Sequence, residues 1–256
     1  MMRQHSQHRH ASNHSISACI LMLCSTPLMG SIVFLETFET DGEGITYTST
    51  GSFTDGIDDY FIRTDGSTEA TGIPTYTGFG GSYFWAAEDI DATENTTGLA
   101  LLEFSGISIA EIPFIEISLD IGAGSDSAFD SLDDFIFVQY RVDAGAWTTA
   151  IAFQNNGQVY NGPLLKDTDF DGIGDGTFLT LDLQTVSSPE LSVSGTVLDL
   201  RIDTLMTSGS EAVAFDNIQV IAVPEPRTTA LLISLAASLT ILRKRFLPQR
   251  EDKSRA

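Results

Sequence analysis

The stretch Ile136-Phe137-Val138-Gln139-Tyr140-Arg141-Val142 decides the fold. Ile136, Val138, Tyr140 and Val142 alternate with Phe137, Gln139 and Arg141, and a period of two sends the two sets to opposite faces of a strand. The same pattern recurs on both sides of it. Ile115, Ile117, Leu119 and Ile121 alternate with Glu116, Ser118 and Asp120, and Leu198, Leu200 and Ile202 alternate with Asp199, Arg201 and Asp203. One apolar and one mostly polar face is what a sheet packed on one side requires. Further strands are expected at 32–38, 44–49, 81–87, 99–104, 147–153, 178–183 and 213–221, separated by Gly, Asp, Asn and Ser clusters that supply turns. No helical period interrupts residues 32–221, and no repeat or linker divides them. The expectation is one all-β domain, an antiparallel two-sheet sandwich of the jelly-roll kind.

Charge separates this middle from its flanks. Residues 31–222 hold 32 carboxylates against Arg63, Arg141, Lys166 and Arg201, a net of −28, whereas residues 1–30 hold two arginines and no acid. Residues 223–256 hold seven basic groups and three acidic ones. So acidic a middle repels phosphate backbones and anionic lipid, which argues against nucleic acid as a partner, and it offers many oxygen ligands to hard cations.

Both flanks read as targeting segments. Arg3 and Arg9 precede the short apolar run Ile16–Leu23, Pro27 breaks it, and Gly30-Ser31 offers a cleavage point. Residues 1–31 therefore read as a signal peptide for the Sec translocon, with a non-cleaved anchor as the alternative. Cys19 and Cys24 both fall inside it, so the middle domain has no cysteine and no disulfide. At the other end, Thr228–Leu242 is uncharged. As a helix it would be roughly 22 Å long, short of the ~30 Å hydrocarbon core but insertable with snorkelling flanks. Arg243, Lys244 and Arg245 would hold its end in the cytoplasm. Val223-Pro224-Glu225-Pro226, this apolar stretch and the basic triplet resemble a PEP-CTERM sorting signal over 222–246, with a transmembrane helix at 228–242 and a cytoplasmic tail at 247–256. The resemblance implies an exosortase as partner and cleavage near the Pro-Glu-Pro. It also implies anchoring in the inner membrane before processing, then residence on the surface or in the extracellular matrix of a Gram-negative, exopolysaccharide-making bacterium.

Two short segments resemble the ends of galactose-binding-like and carbohydrate-binding modules: Phe38-Glu39-Thr40-Asp41-Gly42 and Phe215-Asp216-Asn217-Ile218. In those families, acids near the two termini share a structural Ca²⁺, which implies Glu39 and Asp216 as a second metal pair. Phe38–Gly66 and Gly80–Asp89 also resemble a module found beside other domains in large secreted bacterial proteins.

The strongest metal motif is Asp167-Thr168-Asp169-Phe170-Asp171-Gly172-Ile173-Gly174-Asp175. Carboxylates at the first, third and fifth positions of a loop, with Gly at the sixth, can wrap a hard cation. Asp167, Asp169 and Asp171, the Ile173 carbonyl and Asp175 are the candidate ligands of a structural Ca²⁺. The run resembles the calcium loops of thrombospondin type 3 repeats and dockerins, but Phe178 stands where the twelfth-position acid belongs. Its absence points to an affinity of roughly 10⁻⁴–10⁻³ M. A solvated acidic turn is the alternative.

Catalysis finds little support. His5, His8, His10 and His14 all lie in the signal segment, leaving the middle without a Ser-His-Asp triad, a Cys-His pair or a histidine-ligated zinc. Tyr83, Trp85 and Trp147 are candidates for a sugar-stacking platform, with sandwich core as the alternative. Three functions are thus in play. The first is a non-catalytic exported surface or matrix protein with a calcium-supported sandwich. The second is a carbohydrate-binding module for exopolysaccharide or environmental glycan. The third is a glycan hydrolase or lyase built on converging carboxylates.

Overall fold

The computed structural model describes residues 30–224 apart from 97, 98 and 132. In chain order the strands are β1 (Ser31–Glu36), β2 (Thr48–Thr50), β3 (Phe53–Thr54), β4 (Tyr60–Thr64), β5 (Phe84–Glu88), β6 (Leu101–Ser108), β7 (Phe114–Ala123) and β8 (Phe129–Asp130). They continue as β9 (Phe135–Val142), β10 (Thr148–Asn155), β11 (Asn161–Gly162), β12 (Leu164–Asp167), β13 (Gln184–Ser187), β14 (Leu191–Ser192), β15 (Val197–Leu205) and β16 (Val213–Ala222). No helix occurs among the described residues, so none there is long and apolar enough to cross a membrane. The expected signal peptide and the transmembrane helix at 228–242 lie outside the described residues, as do Glu225, Pro226, Arg243, Lys244 and Arg245 of the sorting motif.

Every named strand pair is antiparallel. One sheet has eight strands along the order β13-β7-β16-β5-β4-β3, with β1 added to β16 and β14 to β7. A second has six, in the order β12-β10-β9-β15-β6-β2, and β8 and β11 pair as a small two-stranded sheet. The inner faces of the two larger sheets meet in one core. Ile117, Leu119 and Ile121 of β7 face it from the first sheet, and Ile136 and Val138 of β9 with Leu198, Leu200 and Ile202 of β15 face it from the second. These are the apolar sets of the alternating stretches, so the period-two pattern places the core, and the fold is the antiparallel jelly-roll sandwich it implied.

The strand map departs from expectation in several places: the strand expected at 44–49 begins only at Thr48, and the short strands β3, β8, β11, β12, β13 and β14 are additional to those expected. Residues 178–183 form isolated bridges, Phe178 to Leu165 and Asp182 to Thr77, and the strand that pairs with β7 begins at Gln184. Its apparent alternation misleads because Phe178 and Leu181 are exposed. Conversely, β4 was not expected. Four of its five residues are buried and the fifth half-buried, so it shows no period. Its outward residues are covered by a second layer.

That layer distinguishes the two sheets. Tyr60, Ile62, Phe84, Ala86 and Ala214 on the outer face of the eight-stranded sheet pack with Ala70, Tyr76 and Leu183, and with half-buried Ile73 and Phe79. The connection between β4 and β5 thus lies across that face as a lid. Among the described residues the six-stranded sheet has no such cover. At the margin of the sandwich, Ser31 pairs with Ala222, so the segments before β1 and after β16 leave from the same edge. Val223 still donates its N–H to the Phe114 carbonyl, and Pro224, which has no N–H, can donate none to continue the ladder.

Candidate functional site

The outer face of the six-stranded sheet is built in cross-strand rows. Leu205, Phe135, Gln154 and Leu165 are register partners across four strands; so are Asp203, Phe137, Ala152 and Asp167 in the next row, and Arg201, Gln139 and Thr149 in the one after. Arg141 opposes Asp199 beyond them. Phe135 and Phe137 stack in parallel, centroids 4.4 Å apart at 15°. Residues two apart on one strand share a face, so the two rings stand face to face on β9 and turn their edges outward as an apolar ridge.

Beside the ridge lies a cation–aromatic cluster. Trp147, just before β10, has the guanidinium carbons of Arg141 and Arg201 at 4.5 and 4.4 Å from its ring centroid. Arg141 donates Nε to Asp199 at 2.8 Å, and Arg201 donates Nε to the Gln139 amide oxygen at 2.8 Å. Each bond fixes a planar fork on the sheet while further N–H donors remain on the same guanidinium. Half of the four cations of residues 31–222 thus gather around one half-buried tryptophan.

Small Ala152 leaves room between its neighbours. A cleft of about 420 Å³ opens over Ala152, lined by Phe137, Thr149, Gln154 and Asp167 and walled by Phe170, Asp171 and Gly172. That wall is the acidic loop. Asp167 is buried; its Oδ1 accepts from Phe170 N at 2.7 Å and its Oδ2 from Gly172 N at 3.0 Å. Phe170 adopts a positive φ of 62° and Gly172 one of 95°, the left-handed turns that let alternate side chains point inward. Oxygens of Asp167, Asp169 and Asp171 all lie within 4.8 Å of one another. This donor set fits a hard cation: three carboxylates converge, and the amides bonding Asp167 leave lone pairs on the same oxygens. Asp175 is not among the converging three. Its Oδ1 accepts from the Thr168 hydroxyl at 2.7 Å and the Thr168 amide at 2.9 Å, bonds that hold its pKa below the usual carboxylate value. Ile173 is exposed, and its amide donates to Asp171 Oδ1.

Glu39 and Asp216 meet the same loop, Gly80–Tyr83. Glu39 Oε1 accepts from the amides of Ser82 and Tyr83, both at 2.8 Å, and Asp216 Oδ2 accepts from Gly80 N at 2.8 Å. The Tyr83 and Ser82 amides lower the Glu39 pKa, whereas burial raises that of Asp216 to about 6. No third acid joins these two in a converging group among the described residues.

The aromatic platform expected from Tyr83, Trp85 and Trp147 does not form. Trp85 is 2% exposed, boxed by Phe38, Tyr47 and Phe61 at centroid distances of 5.8, 5.6 and 5.0 Å. It points into the core because it alternates with Phe84, which faces the lid. Tyr83 is half-buried under the Arg63 guanidinium, 3.7 Å from its ring centroid. Only Trp147 sits on the open face, and its companions there are Phe135, Phe137, Gln139, Arg141 and Arg201. Phe137, Gln139, Arg141 and Arg201 were visible as the outward half of their alternating stretches, whereas Phe135 lay outside them, and nothing in the sequence marked that half as a site.

No protein-family model matches the chain, and no curated protein matches it. Among solved structures it is similar to the CBM22-1 xylan-binding domain from Paenibacillus barcinonensis Xyn10C, at 14% identity and a TM-score of 0.37, covering 77% of this chain and 97% of that one. It is also similar to the K3 cleaved adhesin domain of Lys-gingipain from Porphyromonas gingivalis, at 9% identity and a TM-score of 0.43, covering 74% and 98%. A third is the CBM22-1–GH10 portion of Clostridium thermocellum xylanase 10B complexed with xylohexaose, at 10% identity and a TM-score of 0.41, covering 77% of this chain and 30% of that one. Similarity at this level carries no functional information; the strand pairing and the side chains of the open face carry the reading that follows.

Proposed function

We propose that this chain is a non-catalytic, exported polysaccharide-binding protein that holds its ligand on the outer face of the six-stranded sheet. The observation that carries the reading is the uncovered face itself. It combines a stacked phenylalanine ridge, Trp147 with two guanidiniums, amide and hydroxyl groups at Gln139, Thr149 and Gln154, and a cleft between them. Sugars offer apolar C–H faces and rows of hydroxyls, and such a surface meets both needs: rings pack against the faces, while planar donors and carboxylates bond the edges. The Asp167–Asp171 loop, loaded with Ca²⁺, would stiffen the wall that carries Phe170, so the metal serves the binding face by positioning it. Delivery to the cell surface or matrix follows from the sorting-signal resemblance of 222–246, with exosortase processing as its mechanism; mass spectrometry of the mature protein from its host tests that part, and an intact C-terminal segment would refute it.

Affinity electrophoresis tests the binding reading. The chain should be retarded in gels containing the host's exopolysaccharide or plant glycans, and Trp147→Ala should migrate as in an empty gel. Equal retardation of the two proteins would place binding elsewhere.

A further inference from the structure

A second group of acids lies at the far end of the β9–β15 pair. Asp134 immediately precedes β9, Asp130 ends β8, and Glu211 sits in the connection that leads from β15 to β16. All three are buried, at 4%, 6% and 1% exposure, and an oxygen from each lies within 4.8 Å of the others. The surrounding donors are few. Asp134 Oδ2 accepts the Asp130 amide, Asp130 Oδ1 accepts the Asp133 amide at 3.0 Å, and Glu211 Oε2 accepts the Thr207 amide at 2.7 Å. Asp130 Oδ2 has the Tyr160 hydroxyl at 3.2 Å and the Thr207 hydroxyl at 3.5 Å. Asp134 Oδ1 has no donor at all, although it is fully enclosed.

Among the described residues no basic side chain forms an ion pair with the group, since the one ion pair there joins Arg141 to Asp199. A buried carboxylate oxygen without a donor, as at Asp134 Oδ1, is expensive, and three buried carboxylates this close repel one another as well. A hard cation at their centre answers both problems at once. We propose that Asp130, Asp134 and Glu211 bind a divalent cation, Ca²⁺, that pins the β7–β9 connection to the β15–β16 connection. Enclosure favours this ion: Ca²⁺ accepts irregular all-oxygen ligand sets, whereas Mg²⁺ keeps several waters, for which so buried a site has little room. The site uses none of the residues of the Asp167–Asp175 loop and does not depend on what the open face binds.

The Tyr160 hydroxyl provides a reporter, because Tb³⁺ in a Ca²⁺ site beside a phenol is excited through the ring. The full chain is stripped with EDTA and titrated with Tb³⁺ and then Ca²⁺, alongside Asp169→Asn/Asp171→Asn, Glu211→Gln and Tyr160→Phe. The loop double variant should retain one ion per chain and its tyrosine-excited terbium emission, which Ca²⁺ displaces. Glu211→Gln should lose that ion and the part of the Ca²⁺-induced rise in unfolding temperature that the loop variant keeps. If Glu211→Gln does not fold, Tyr160→Phe decides: it should bind the same number of ions with several-fold weaker emission. The proposal is overturned if the loop variant binds no Ca²⁺. It is equally overturned if Glu211→Gln binds as many ions as its parent, or if Tyr160→Phe leaves the emission unchanged.

Discussion

The two outer faces of the sandwich began from the same strand pattern and ended with opposite fates. On the eight-stranded sheet, Tyr60, Ile62, Phe84 and Ala86 face outward, and the chain from β4 to β5 supplies Ala70, Ile73, Tyr76 and Phe79 to cover them. On the six-stranded sheet, Phe135, Phe137 and Trp147 also face outward, but what joins them is Arg141, Arg201 and Gln139 rather than a lid. An aromatic under a lid contributes to stability; an aromatic among fixed polar forks on an open face is available to a ligand. On the proposed reading, the first face serves folding and the second recognition.

The largest expected effect comes from the two tryptophans. Trp85→Ala removes the centre of an aromatic box and should destabilise by about 3–5 kcal/mol, seen as a large drop in the urea midpoint. Trp147→Ala should cost only about 1 kcal/mol in the same measurement, the scale of its cation–π contacts. Comparable losses for both would erase the distinction between the faces.

Next comes an acid beneath the lid. Glu88 is buried on the covered face; desolvation, with Asp58, Asp59 and Asp89 nearby, pushes its pKa up to about 7. Its folded value exceeds the unfolded one, so the folded state holds the proton more tightly, and stability falls as pH rises from about 4.5 through about 7. Glu88→Gln should therefore match the parent near pH 4 and exceed it by on the order of 1–3 kcal/mol at pH 8. Urea unfolding at both values checks this, and a constant difference between them would contradict it.

Effects on the open face should be smaller in free energy but specific. Arg201→Ala should weaken polysaccharide binding roughly tenfold, about 1.4 kcal/mol, while lowering stability by no more than Trp147→Ala does, since it removes one of the same cation–π contacts. Smallest is the acidic loop: Asp169→Asn/Asp171→Asn, or EDTA, should reduce affinity a few-fold by loosening the Phe170 wall, as isothermal titration would show. An affinity indifferent to both would separate the loop from the face it borders.

The same contrast explains what could be read in advance. Strands β7, β9 and β15 were legible because each has one buried and one solvated side, and only then does alternation appear in the sequence. Strand β4 was not, because Tyr60–Thr64 is buried on both sides and its lid comes from elsewhere in the chain. The acidic loop was legible because its three converging carboxylates lie within five residues of one another, whereas Asp130, Asp134 and Glu211 meet only after the sheets assemble. Grouping Tyr83 with Trp85 failed for the reason that makes strands readable: Trp85 alternates with Phe84, one facing the core and the other the lid.

The chain has two tryptophans, one in each region, and this makes the central claim directly measurable. Tryptophan emission and its quenching by iodide would be followed while the full chain is titrated with a polysaccharide that retards it in gels. If the open face is the binding face, the ligand shifts the emission and shields it from iodide. Both effects vanish in Trp147→Phe, and that variant's remaining Trp85 signal stays constant throughout. Saturable binding that leaves the emission and the iodide access of Trp147 unchanged would contradict the assignment.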